Sequence, residues 1–86
     1  MAPDPTMTPE QSRAARAWLG WSQGELAKRA NVSLSTVHDY ERGQRTPTAN
    51  NLLSMRRVIE EGGLRLLFDD EGKGSGIERI NTNRSN

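Results

Sequence analysis

Trp21-Ser22-Gln23-Gly24-Glu25-Leu26-Ala27-Lys28-Arg29-Ala30-Asn31-Val32-Ser33-Leu34-Ser35-Thr36-Val37-His38-Asp39-Tyr40-Glu41-Arg42-Gly43 reads as two short helices joined by a turn. Ser22 stands at an N-cap, Glu25 three residues on completes a capping-box pattern, and Trp21 before the cap can staple onto Leu26. Leu26, Ala27 and Ala30 form one apolar stripe. Asn31 tolerates the left-handed backbone of a tight turn, and Ser33 then caps the next helix, with Val32 stapling onto Val37. Tyr40 extends the inward face and Gly43 ends it.

Upstream, Thr8-Pro9-Glu10-Gln11 is another helix start: Thr8 as N-cap, Pro9 at the first helical position, Gln11 reaching back. That helix runs to Leu19 and stops at Gly20. Residues 1–7, with two prolines, read as a disordered tail. Downstream, Gln44 to Pro47 is a polar loop, and Thr48 caps a fourth helix whose Leu52, Met55, Val58 and Ile59 recur at helical spacing until Gly62-Gly63. Leu64 to Phe68 has strand length, Asp69 to Gly76 reads as a flexible turn, and Ile77 to Ile80 as a second short strand. The expected organisation is a tail over 1–7, a helical domain over 8–61, a strand-like extension over 62–80 and a flexible tail over 81–86.

Eighty-six residues suffice for one core of marginal size, which oligomerisation commonly supports. With no cysteine and a single histidine, His38, neither disulfides nor a metal centre is expected, and no cofactor. No apolar run nears the roughly 18 residues of a membrane span, and no secretory signal is visible, so the expected location is cytoplasmic, with the nucleoid. Charge is uneven: eight basic against four acidic side chains from Thr8 to Arg57, four against six from Val58 onward. A basic front suits a module that presents one face to an anionic polymer.

The stretch around the helix pair holds a specific collocation: Arg16, Leu19-Gly20, Ser22-Gln23, Glu25-Leu26-Ala27, Val32-Ser33, Val37, Glu41, Gly43 and Pro47. In these residues the chain resembles the Cro/CI-type (Xre-like) helix-turn-helix regulators of phages and bacteria, over about residues 8–61. The resemblance implies an all-α, four-helix lambda-repressor-like domain with a short C-terminal strand or hairpin. It further implies a homodimeric transcriptional regulator, a repressor or dual regulator, that binds a palindromic double-stranded DNA operator with the helix of residues 33–42 in the major groove.

By the same resemblance, Leu34, Ser35 and Asp39 occupy base-reading positions, with Thr36 and His38 beside them. Serine and threonine hydroxyls bond base or phosphate oxygens, leucine packs on a thymine methyl, and aspartate accepts from cytosine N4 while repelling phosphate. This set departs from the glutamine- and arginine-rich helices common in the family. Gln23 is implied to brace the motif against phosphate or a neighbouring recognition side chain, with Ser22 and Ser33 at the adjoining helix starts. Arg42, Gln44 and Arg45 suit phosphate oxygens; the cations equally neutralise a helix C-terminus. His38 is either a DNA contact or plain surface. Arg16 and Glu41 match a structural salt bridge.

Leu64, Leu66, Leu67 and Phe68 are too apolar for solvent: either they pair with a second copy as a dimer interface, or they fold back as a cap on their own bundle. Trp21 and Tyr40 read as core, Trp18 as surface or interface. No enzyme is expected. There is no nucleophile with a histidine base, and Gly72-Lys73-Gly74-Ser75-Gly76 lacks the order of a phosphate-binding loop. The alternative function is a protein-interaction regulator, an antitoxin or antiactivator, on the same fold.

Overall fold

Each helix begins on a hydroxyl that accepts the backbone N–H three residues along: Thr8 from Gln11, Ser22 from Glu25, Ser33 from Thr36 and Thr48 from Asn51. Such caps satisfy donors that the helix itself leaves orphaned. The computed structural model describes residues 5–80. The order is α1 (Pro9–Leu19), α2 (Gln23–Ala30), α3 (Leu34–Glu41), α4 (Ala49–Glu61), β1 (Leu64–Phe68) and β2 (Gly74–Arg79). This is the expected four-helix domain with a C-terminal hairpin.

The breaks follow the local chemistry. Gly20 ends α1 at φ 72° and Asn31 ends α2 at φ 57°, both left-handed. At the start of α1 the reciprocal box forms in full, since the Thr8 N–H donates to Gln11 Oε1. At α2 only half of it forms: Glu25 turns instead to Arg29, 2.7 Å away, whose guanidinium lies 4.4 Å from the Trp21 ring centre.

The core takes Ala15 from α1, Leu26, Ala27 and Ala30 from α2, Val37 and Tyr40 from α3, and Met55 and Ile59 from α4. Met7, Leu64 and Leu66 complete it. Residues 6–7 are therefore part of the fold, contrary to the disordered tail expected there. Met7 is buried, its carbonyl accepts the Tyr40 hydroxyl at 2.6 Å, and Thr6 bridges Lys73. A methionine in a core and a bonded phenol offset the ordering of this short segment. Residues 1–4 and the expected tail over 81–86 lie outside the described residues.

The hairpin is antiparallel, pairing Leu64 with Arg79, Leu66 with Ile77 and Leu67 with Gly76, with an irregularity between Leu67 and Phe68. Leu64 and Leu66, 1% and 3% exposed, are inside the chain's own core, while Leu67 and Phe68 are half-buried. The fold-back arrangement thus holds for Leu64 and Leu66, which corrects their expectation as an exposed dimer strand. Their side chains are already covered within the chain.

The second strand begins at Gly74, three residues before the expected Ile77. Gly74 answers to close packing. A Cβ on Gly74 would overlap the Gln11 side chain and lie 2.9 Å from Thr8 Cγ2. The Gln11 amide sits there because it donates to the carbonyls of Leu67 at 2.7 Å and Gly76 at 3.0 Å, tying both strands to α1.

Candidate nucleic-acid interface

α3 is seated by a buried carboxylate. Glu41, 2% exposed at its last turn, accepts hydrogen bonds from Ser12 Oγ at 2.5 Å, Gln23 Nε2 at 3.1 Å, and Arg16 through Nε and Nη2 at 2.8 to 3.1 Å. Arg16 also donates to the Trp21 carbonyl, and Arg13 to the carbonyl of Glu41. One carboxylate therefore binds α1, α2 and α3 together. Burial pushes the Glu41 carboxyl up, but the hydrogen bonds from Arg16, Ser12 and Gln23, with the arginine charge, bring it below the ordinary carboxylate value. Beside it, Tyr40 is held neutral: burial, then the charges of Glu10 and Glu41, push its phenol up.

The expected Arg16–Glu41 pair is thus present, as an inter-helix tie. Gln23 donates to Glu41, a partner other than the phosphate or recognition side chain that the resemblance implies. Ser12 went unrecognised in the sequence, although it lies one helical turn before Arg16 on the same face, the signal that could have found it. In the sequence Gln11 shows only as half of a cap. Among the described residues no buried side-chain nitrogen or oxygen lacks a partner.

The opposite side of α3 is open. Leu34 is 55% exposed and Ser35 is exposed, while His38 and Asp39 are half-buried, with His38 Nδ1 at 3.3 Å from Asp39 Oδ1. Thr36 departs from the expected base-reading set. It is buried, and its hydroxyl is taken by Ser33 Oγ at 2.7 Å and by Arg45 Nη2 at 3.4 Å. Ser33 is spent on capping, accepting from the Thr36 N–H and sharing a proton with Ser35 Oγ at 3.2 Å. Ser22 likewise caps α2.

Arg42, Gln44 and Arg45 are all exposed where α3 ends and the loop begins, with Gly43 at φ 75° turning the chain. The arrangement offers a projecting helix with apolar, hydroxyl and acidic groups, edged by guanidinium groups. Leu67 and Phe68 lie elsewhere, on the hairpin, where Arg56 covers the Phe68 ring at 5.0 Å. Among the described residues no helix is long and apolar enough to cross a membrane.

Residues 13–62 match the family described as helix-turn-helix. The chain is similar to the HTH-type transcriptional regulator DicA of Escherichia coli (strain K12), with 36% identity over 64 residues, 74% of this chain and 47% of DicA. It spans about half the length of that relative. The matched segment runs from within α1 to just past α4 and contains the Arg16–Glu41 pair and both helices of the motif, so the chain belongs to the helix-turn-helix family of Cro/CI (Xre-like) type.

Proposed function

We propose that the chain is a DNA-binding transcriptional regulator that reads duplex DNA with α3 in the major groove. The observation that carries this is the division of α3: Val37, Tyr40 and Glu41 are buried, while Leu34 and Ser35 project, with Arg42 and Arg45 at the helix end. A helix so presented matches the width of the major groove, and flanking cations match phosphates. The likeness to DicA, by name a transcriptional regulator, supports the same reading.

In this reading Leu34, Ser35 and Asp39 face base edges and Arg42, Gln44 and Arg45 face the backbone. An eight-residue helix covers only a few base pairs, so two copies on a two-fold-symmetric operator supply specificity, with half-sites about one turn (roughly 10 bp) apart or a small multiple. The side chains of Leu64 and Leu66 are interior, so in this reading the contact between copies uses other side chains or the unpaired edge of the hairpin. Repression follows where such an operator overlaps a promoter. Selection of bound duplexes from a random pool tests this. A palindromic consensus is the expected result, and a pool with no consensus overturns it.

A second reading, a protein-binding regulator on the same fold, is favoured by the exposed Leu34 and the acid Asp39 on α3. Affinity for duplex that falls steeply with salt marks the first reading; its absence marks the second.

A further inference from the structure

The hairpin turn remains without a role, and it contains the Gly72–Gly76 run that only superficially resembles a phosphate cradle. We infer that this turn is a wing that touches the DNA backbone through Lys73, beside the end of α3. The inference rests on the reading of α3 as a DNA-reading helix and adds a second element to that contact.

Position carries the argument. Gly72 and Lys73 line the same surface depression as Tyr40, Gly43, Arg45 and Thr46. A helix lying in the major groove is flanked by sugar-phosphate backbone, and the residues at its end and in the following loop meet one of those strands. In the proposed contact, a cation on the depression that Gly43, Arg45 and Thr46 also line is within the span of that strand. Lys73 is exposed, and the acids that precede it, Asp69, Asp70 and Glu71, do not line the depression.

The turn is also fastened, contrary to the flexible run that its glycines suggest. The Asp69 N–H donates to the Lys73 carbonyl at 2.8 Å, and the Asp69 carboxylate accepts from the N–H groups of Glu71 at 2.9 Å and Lys73 at 3.0 Å. Gly72, at φ 81°, closes it with a 3.0 Å bond to the Asp69 carbonyl. Thr6 donates to the Gly72 carbonyl, and the next residue, Met7, bonds Tyr40 of α3. Lys73 is therefore held in register with the recognition helix through two residues of backbone. A lysine so fixed gives up less freedom on meeting a phosphate than one on a loose loop.

The test is the salt dependence of duplex affinity for the full chain, with the consensus duplex and an unrelated one. K73A is expected to weaken both alike and to lower the slope of log K against log salt by about 0.9. Its defect then narrows by about 3.5-fold between 50 and 200 mM salt. K73R is expected to restore the wild-type slope, and K73E to lower it further. R45A is the reference in the same series. If R45A weakens binding while K73A leaves affinity and slope unchanged, the wing is overturned and the role of α3 stands. If the wild-type chain binds neither duplex, the DNA-reading role of α3 itself fails, and the wing with it.

Discussion

The two sides of α3 are built on opposite rules. Inward, Glu41 accepts from three side chains on two other helices, and Tyr40 is bonded to the Met7 carbonyl. Outward, Leu34 and Ser35 touch little and are exposed. The inner face thus determines where the helix sits and the outer face what it meets, so the two can be altered separately. The sharpest way to break that division is to remove the inner tie. Glu41→Ala leaves Arg16, Ser12 and Gln23 without their acceptor, and removing one member of a buried pair costs about 3–5 kcal/mol. Urea denaturation should show that loss, whereas a fall below 1 kcal/mol would mean water replaces the carboxylate at little cost.

The same carboxylate is expected to contribute to the acid limb of stability. Its folded value is depressed, so its contribution is fully present above the ordinary carboxylate value of 4.5 and is lost as pH falls through the folded value. Wild-type midpoints should therefore decline as the pH drops from about 4.5. Glu41→Gln, which has no charge to lose, should show a flatter limb over that range; parallel limbs would assign the acid sensitivity to other groups.

A second comparison sets the helices against the hairpin. Leu66 lies in the single-chain core, so Leu66→Ala should cost about 2–5 kcal/mol while leaving the mass in solution as in wild type. A variant that is fully stable but changes its oligomeric mass would return Leu66 to an interface between copies.

The helices were legible because their signals are local: hydroxyl caps three residues from their partners, and Gly20 and Asn31 at left-handed stops. The Arg16–Glu41 tie was legible only through resemblance, since its ends lie 25 residues apart. The hairpin was half legible. Leu64 to Phe68 shows its apolar run, but Gly74 reads as a turn residue, because nothing local announces that Gln11, more than sixty residues upstream, occupies the space a side chain would need. Met7 was missed for a like reason: its partner, the Tyr40 hydroxyl, is 33 residues away.

That long-range packing gives a third, smaller effect. Gly74→Ala forces a methyl against Gln11 and should cost about 1–3 kcal/mol by overpacking. In a Gln11→Ala background the obstructing amide is gone, so the added cost of Gly74→Ala should shrink, and a double-mutant cycle would show coupling of about 0.5–3 kcal/mol. Additive losses would mean that the glycine answers to backbone conformation or to Thr8.

The smallest stability effect belongs to the outer face, where the consequence for recognition is greatest. Ser35 is exposed, and its hydroxyl shares one bond with Ser33 at 3.2 Å. Among the described residues the Asp39 carboxylate hydrogen-bonds only the neighbouring His38. Replacing either by alanine should therefore move the denaturation midpoint by no more than about 0.5 kcal/mol. In the proposed complex, however, each faces a base edge, and a lost direct contact is worth about 1–3 kcal/mol of discrimination at one base pair. Ser35→Ala should thus keep the salt slope of wild type, and both Ser35→Ala and Asp39→Ala should relax preference at distinct positions in the selected duplexes. Asp39→Ala should also raise affinity for unrelated duplex, because a carboxylate near phosphates is removed. If both variants return the wild-type consensus, base reading rests on other residues of α3, with Leu34 and His38 the next to replace. If either variant loses stability comparable to Glu41→Ala, the separation of the two faces is itself wrong.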